Sequence, residues 1–233
     1  LWTKLLELAG EAKVIVGSGS LAPGVPVTFY AMLCRLSREV GADIYPNVSF
    51  WHQKYIVPTG EPAPGNQHRH KSDEIAAISL KTFEVMWKHK VGHQPAGIWM
   101  TPDDKHLLVA ITGEDYVEVV DWRAPKSVQK LKTGKGAHNF LAMGDGRRLL
   151  LSNRMENTVS ILDMQTLQVL EKFRVPGGPD DMELTRDGKE LWVTSRWIKQ
   201  VQVVDMATKT IKHSIPVGRS PHGIYFPTHA PRQ

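Results

Sequence analysis

His138, Asp180 and His222 stand 42 residues apart, a constant spacing that puts three unlike side chains at one position in successive copies of a repeat. Ala96 belongs to the same column, and Asn47 precedes it in an earlier, less regular copy. Neutral imidazole is a good nitrogen donor and a carboxylate supplies charge, so such a column can bind a transition metal. His93, Asn139 and Asp181 are its neighbours, and His68 and His70 lie on an insertion that could reach the same rim. A second column sets Asn153-Arg154 and Ser195-Arg196 against Ile111-Thr112. Guanidinium groups there would suit a carboxylate or phosphate ligand. The plainer readings are that the arginines bridge repeats or meet solvent, and that the histidines, which lack the close spacing of a zinc motif, serve turns. The candidate set is therefore His93, His138, His222, His68 and His70 for a metal, with Asn139, Arg154, Asp180, Asp181 and Arg196 as ligand or rim residues.

The elements that must position these residues follow from the same spacing. Val91-Gly92, Thr133-Gly134, Val175-Pro176 and Val217-Gly218 align without a gap, as do the turns Asp103-Asp104, Asp145-Gly146 and Asp187-Gly188. Each turn carries a residue tolerant of left-handed backbone, as a tight hairpin requires. Strands follow at 107–109, 149–151 and 191–193, at 117–121, 159–163 and 201–205, and near Val128, Val169 and Ile211. Four short β-branched strands per unit make a propeller blade. The earlier copy starts at Pro46, passes through residues 55–57 and rejoins the register at 75–79, having gained seven residues. Its Pro- and Gly-rich insertion, residues 58–72, is expected as an exposed loop. Asp121, Asp163 and Asp205 end strands ahead of turns, where their side chains are expected to accept turn amides. Trp99, Trp192 and Trp197 are expected to pack between blades.

Residues 1–44 break the pattern. Leu1, Leu5, Leu6 and Leu8 suit a short amphipathic helix, residues 13–16 a strand and residues 27–40 a helix ended by Gly41, with a further strand beginning at Asp43. Together they compose most of a βαβ unit, joined to the repeats near residues 43–45.

The segments VGRSPHGIYF, TRDGKELWVTSRW and VQVVDMATKTIKHSIPVG resemble YVTN-type β-propeller repeats over roughly residues 46–226. Proteins of that type resemble the haem-binding propeller of bacterial nitrite reductases. The resemblance implies about seven blades, a periplasmic or cell-surface setting, and a haem-like tetrapyrrole beside a metal as a cofactor for the histidine column. This chain departs from it in holding four repeats and a leftover inner strand at 221–226. Half a ring cannot close alone, so exposed edges at residues 46–51 and 222–226 and self-association are expected. The words KVIVGSGSLAPGVPVTFYAMLCRLSREVGADI resemble an internal stretch of the ribokinase-like sugar kinases of the phosphofructokinase B family. That family's sugar-binding signature and its segment with the catalytic aspartate are missing, so an inactive remnant is implied.

The expected fold is mainly β, a partial propeller of about four four-stranded blades (45–233) behind a short α/β segment (1–44). A net charge of +5 permits anionic partners, but the 29 basic residues are scattered and form no nucleic-acid motif. The single cysteine, Cys34, excludes an intramolecular disulfide. No run of the sequence is apolar enough to span a membrane, and the N-terminus shows no export signal. There is no nucleophile elbow, haem-attachment motif or Walker loop, so no catalytic residue is assigned. The leading expectation is a binding or scaffold module with a small ligand or protein partner at the channel rim; a haem- or metal-binding redox propeller and a sugar-kinase remnant are the alternatives.

Overall fold

The computed structural model describes residues 14–17, 43–46, 49–51, 54–59, 62–63, 66–70, 73–79, 82 and 84–231, and before residue 73 it is the strand backbone that is described. The chain divides into two compact units, residues 1–90 and 91–233.

In the first unit, β1 (Val14–Gly17) and β2 (Asp43–Pro46) pair in parallel, Val14 opposite Asp43 and Gly17 opposite Pro46. Parallel pairing of strands this far apart needs a crossover between them, as a βαβ reading requires. The expected helices at residues 1–8 and 27–40, with Cys34, lie outside the described residues, as does Asn47. A four-stranded antiparallel sheet follows, in the order β3 (Ser49–Trp51), β4 (Lys54–Thr59), β7 (Glu74–Ser79), β8 (Val85–Lys90). The insertion is not a plain loop. It holds a second small sheet, β5 (Pro62–Ala63) against β6 (Asn66–His70). Pro46, expected at an open edge, is instead paired with Gly17.

The second unit is three blades. Their strands are β9 (Pro95–Met100), β10 (His106–Ile111), β11 (Tyr116–Asp121) and β12 (Lys126–Lys132); β13 (Ala137–Ala142), β14 (Arg148–Asn153), β15 (Thr158–Asp163) and β16 (Gln168–Arg174); and β17 (Pro179–Leu184), β18 (Glu190–Ser195), β19 (Gln200–Asp205) and β20 (Thr210–Pro216). The inner strands β9, β13 and β17 lie side by side across the blades. Each first hairpin turns through a left-handed residue, with φ of 60° at Asp104, 68° at Gly146 and 70° at Gly188. The register slips between the last two strands at Val119/Val120, Ile161/Leu162 and Val203/Val204, and in the first unit at Ala77/Ile78. One bulge recurring every 42 residues places the sheet of the first unit in the same repeat.

Apolar residues alternate onto both faces of each sheet, and the core lies between blades. Leu108, Val117, Val119 and Leu131 of one blade meet Ala142, Leu149, Leu151 and Leu162 of the next. Leu150, Val159, Ile161 and Phe173 meet Met182, Leu184, Leu191 and Val204 in the same way. Along that column Leu131 is 5% exposed and Phe173 7%, but Ile215 is 37% exposed. Val217 is likewise exposed where Val175 is buried, so the outer half of the last blade carries the residues of an inter-blade face without a neighbour on them.

Residues 221–226, expected as a leftover inner strand, form no strand. Thr194 donates its hydroxyl to the carbonyl of His222 at 2.9 Å, the Phe226 ring meets Trp192 edge-on at 5.3 Å, and the chain rejoins the blade only at the Thr185–His229 bridge and at Ala230 N–H to Leu184 O. An inner strand is made by its ladder to the second strand of its own blade, and among the described residues no strand follows β20 to supply that ladder. Trp99 packs against the core between two blades as expected, whereas Trp192 meets Phe226 of the C-terminal segment and Trp197 is half-exposed and lies over Gly178.

The repeated aspartates are turn acceptors. Asp121 Oδ1 takes Arg123 N–H, Asp163 Oδ1 takes Gln165 and Thr166 N–H at 2.8 and 3.0 Å, and Asp205 Oδ1 takes Ala207 and Thr208 N–H at the same distances. Asp163 adds Arg147, whose Nη2 lies 2.6 Å away; this hydrogen bond outweighs burial and, with the turn amides, holds the carboxyl down to about 2. Because the folded value is depressed, the contribution is present above the ordinary Asp range and is lost as pH falls through the folded value. The stability advantage of the wild type over Asp163→Asn in urea titrations should be constant above about pH 5 and shrink toward pH 2. An advantage that does not change with pH would assign it to the amides alone.

Candidate functional site

The 42-residue repeat brings the two polar columns together at the N-terminal ends of the inner strands. His138 is on β13, Asp180 on β17 and His222 on the segment after β20, while Arg154 and Arg196 directly follow β14 and β18. The second column reaches forward to the first at a fixed offset. The Thr112 hydroxyl lies 3.1 Å from His138 Nδ1, and Arg154 Nη2 lies 2.6 Å from Asp180 Oδ1, each pair 26 residues apart. Arg196 Nη1 is 3.2 Å from Asp180 Oδ2, and its Nε and Nη2 donate to Ser220 Oγ. Close approach of the inner strands is built in at Gly97, where a Cβ would stand 2.4 Å from the carbonyl oxygen of His138.

Asp180 is the hub. It is fully buried, with both guanidiniums and, at 3.0 Å, His138 Nε2 around it. Burial works against its ionisation, yet contact with His138 and the positive charges of Arg154 and His222 hold the carboxyl well below the usual carboxylate range. Burial pushes the His138 imidazole down against the pull of Asp180, and the Arg154 charge pushes the same way. Thr112 gives its hydroxyl proton to Ala137 O at 2.8 Å, leaving oxygen lone pairs for a proton on His138 Nδ1, while His138 Nε2 faces both the Arg154 guanidinium, a donor, and Asp180 Oδ1, an acceptor. His222 Nδ1 lies 3.0 Å from Asp181 Oδ2, a contact that raises its pKa against partial burial. Asn139 Nδ2 donates to the other oxygen of Asp181.

Of the residues singled out in the sequence, His138, Asp180, Asp181, His222, Asn139, Arg154 and Arg196 thus converge. His93 does not join them: it is exposed in the bend before β9, where its carbonyl accepts Gly113 N–H. His68 and His70 are on β6 in the first unit. Among the described residues, the group able to hold a metal is His138, Asp180 and His222, whose ligand atoms all lie within 4.8 Å of one another. Two residues of the site were missed in the sequence. Thr112 stands in the column of Arg154 and Arg196, which could have flagged it; for Ser220 there was no signal.

The sequence model of the YNCE-like beta-propeller matches residues 66–232, well over half of the chain. The chain belongs to this family. Every residue of the site lies inside the matched region, and residues 1–44, with their sugar-kinase wording, lie outside it. No curated protein matches the chain. Among solved structures the propeller is similar to Kuenenia stuttgartiensis hydrazine synthase, with 21% identity and a TM-score of 0.55 over 67% of this chain and 45% of that one. The chain thus spans under half the length of that protein, and a likeness at this identity bears on the fold alone. No helix among the described residues is long and apolar enough to cross a membrane.

Proposed function

We propose that this propeller is a binding module that takes a small ligand at the inner-strand rim around His138, Asp180 and His222. The observation that carries this reading is the gathering of six polar residues from three successive repeats around the buried carboxylate of Asp180. An ion pair needed only for stability would not require two imidazoles at its mouth, with side-chain exposures of 14% and 32%. Strands β13 and β17 carry His138 and Asp180, and Arg154 and Arg196 directly follow strands, the support a preorganised site uses.

The test is a thermal-shift panel of small anions (phosphate, acetate, citrate) and divalent metal ions on the wild type and a His138→Ala/His222→Ala variant. At least one probe class should stabilise the wild type and not the variant, since a ligand of the folded state raises stability by mass action. A panel that shifts neither protein, or both equally, contradicts the reading.

The cluster of two imidazoles and a carboxylate also favours a second reading, a metal- or haem-type cofactor propeller. In that case a transition metal or a tetrapyrrole is the occupant of the same rim. For residues 1–44, the parallel β1–β2 pair fits a βαβ unit without pointing to a kinase, and we assign that segment no activity. The outer face of the last blade, with Ile211, Ile215 and Val217 exposed, supports docking of a further partner or a second copy.

A further inference from the structure

We propose that His138, Asp180 and His222 form a divalent transition-metal site in which the Arg154 guanidinium is a resident cation that the metal displaces. This rests on the rim-site reading above and names its ligand. Metal bonds of about 2.0–2.2 Å to nitrogen and oxygen bring the ligand atoms of one ion to roughly 3–3.5 Å of each other. His138 Nε2 and Asp180 Oδ1 are already 3.0 Å apart.

With Nε2 unprotonated, as metal ligation requires, these two atoms are both acceptors, and two acceptors at that separation repel unless a positive group lies against both. Arg154 Nη2 is that group, for it contacts His138 Nε2 and Asp180 Oδ1 at once. The guanidinium is incompletely satisfied there, because its Nε is buried without a hydrogen-bond partner. Asp180 keeps Arg196 when Arg154 leaves. The His138 ring is braced on Nδ1 by Thr112, the outer-shell arrangement that orients metal-binding imidazoles, while His222 Nδ1 lies 3.0 Å from Asp181 Oδ2 as an ion-pair contact without hydrogen-bond geometry. The partial exposure of both rings gives an ion a way in.

The experiment is calorimetric titration of Zn²⁺, with Co²⁺ absorption as a second reading, on the wild type, His138→Ala, His222→Ala, Arg154→Met and Arg154→Lys. Melting curves first establish that each variant is folded. The wild type should bind one Zn²⁺ that is weakened at least about tenfold in each histidine variant, since loss of even an outer-shell partner of a ligand costs about that much. Arg154→Met should bind it about tenfold more tightly than the wild type, because a neighbouring unit charge no longer competes. Arg154→Lys, which keeps the charge, should stay near the wild type. Equal affinity in Arg154→Met and the wild type overturns the resident-cation role. Zinc binding unchanged in both histidine variants overturns the metal site. If Zn²⁺ binds no variant while an anion shifts the melting of the wild type but not of the double-histidine variant, the metal assignment fails and the rim-site reading stands.

Discussion

Phe173→Ala is expected to cost about 3–5 kcal/mol of unfolding free energy, whereas Ile215→Ala, one repeat further along the same column, should cost under about 1 kcal/mol. Both are outer-strand apolar residues with a blade's sheet behind them. Phe173 is enclosed by Met182, Leu184, Leu191 and Val204 of the following blade, so truncating it leaves a cavity between two sheets. Ile215 has the same sequence position and is already 37% exposed, so its removal opens no cavity. Urea titrations of the two variants check this. Equal costs would mean that burial between blades is not what stabilises these sheets.

Asp180→Ala is expected to destabilise the protein by about 3–5 kcal/mol, as removal of one partner from a buried ionic cluster does. The loss comes from what remains: Arg154 and Arg196, half-buried around this carboxylate, would have no counter-charge at the hub. The sharper form of the prediction is a rescue. Adding Arg154→Met and Arg196→Met to Asp180→Ala should recover at least half of the lost stability, because an apolar replacement of a whole cluster is far less costly than breaking it. An Asp180→Ala variant within about 1 kcal/mol of the wild type would show that water, not protein, satisfies the arginines.

Most of the propeller was legible because a 42-residue repeat imposes its own checks. The hairpin turns were readable from Asp104, Gly146 and Gly188, and the turn role of Asp163 from its place after an alternating strand. The column His138–Asp180–His222 was readable too, since a repeat carries equivalent residues to adjacent places. What the spacing could not show is which side chains reach across from one blade to the next. Thr112 and Ser220 look like ordinary loop residues, and their roles arise from contacts to His138 and Arg196 that no local pattern encodes. The segment 221–226 matches the inner-strand motif but lacks the pairing that makes a strand, and sequence similarity could not register that difference. His93 fits the column's neighbourhood in sequence, yet backbone geometry turns it to solvent.

The most direct measurement of the central claim is imidazole NMR during titration of whichever panel probe raises the melting temperature. The rings of His138 and His222 should shift together with one midpoint, while His213 on β20 and His229 near the C-terminus stay in place. Shifts at His213 or His229 with His138 and His222 unmoved would contradict a binding site at the inner-strand rim.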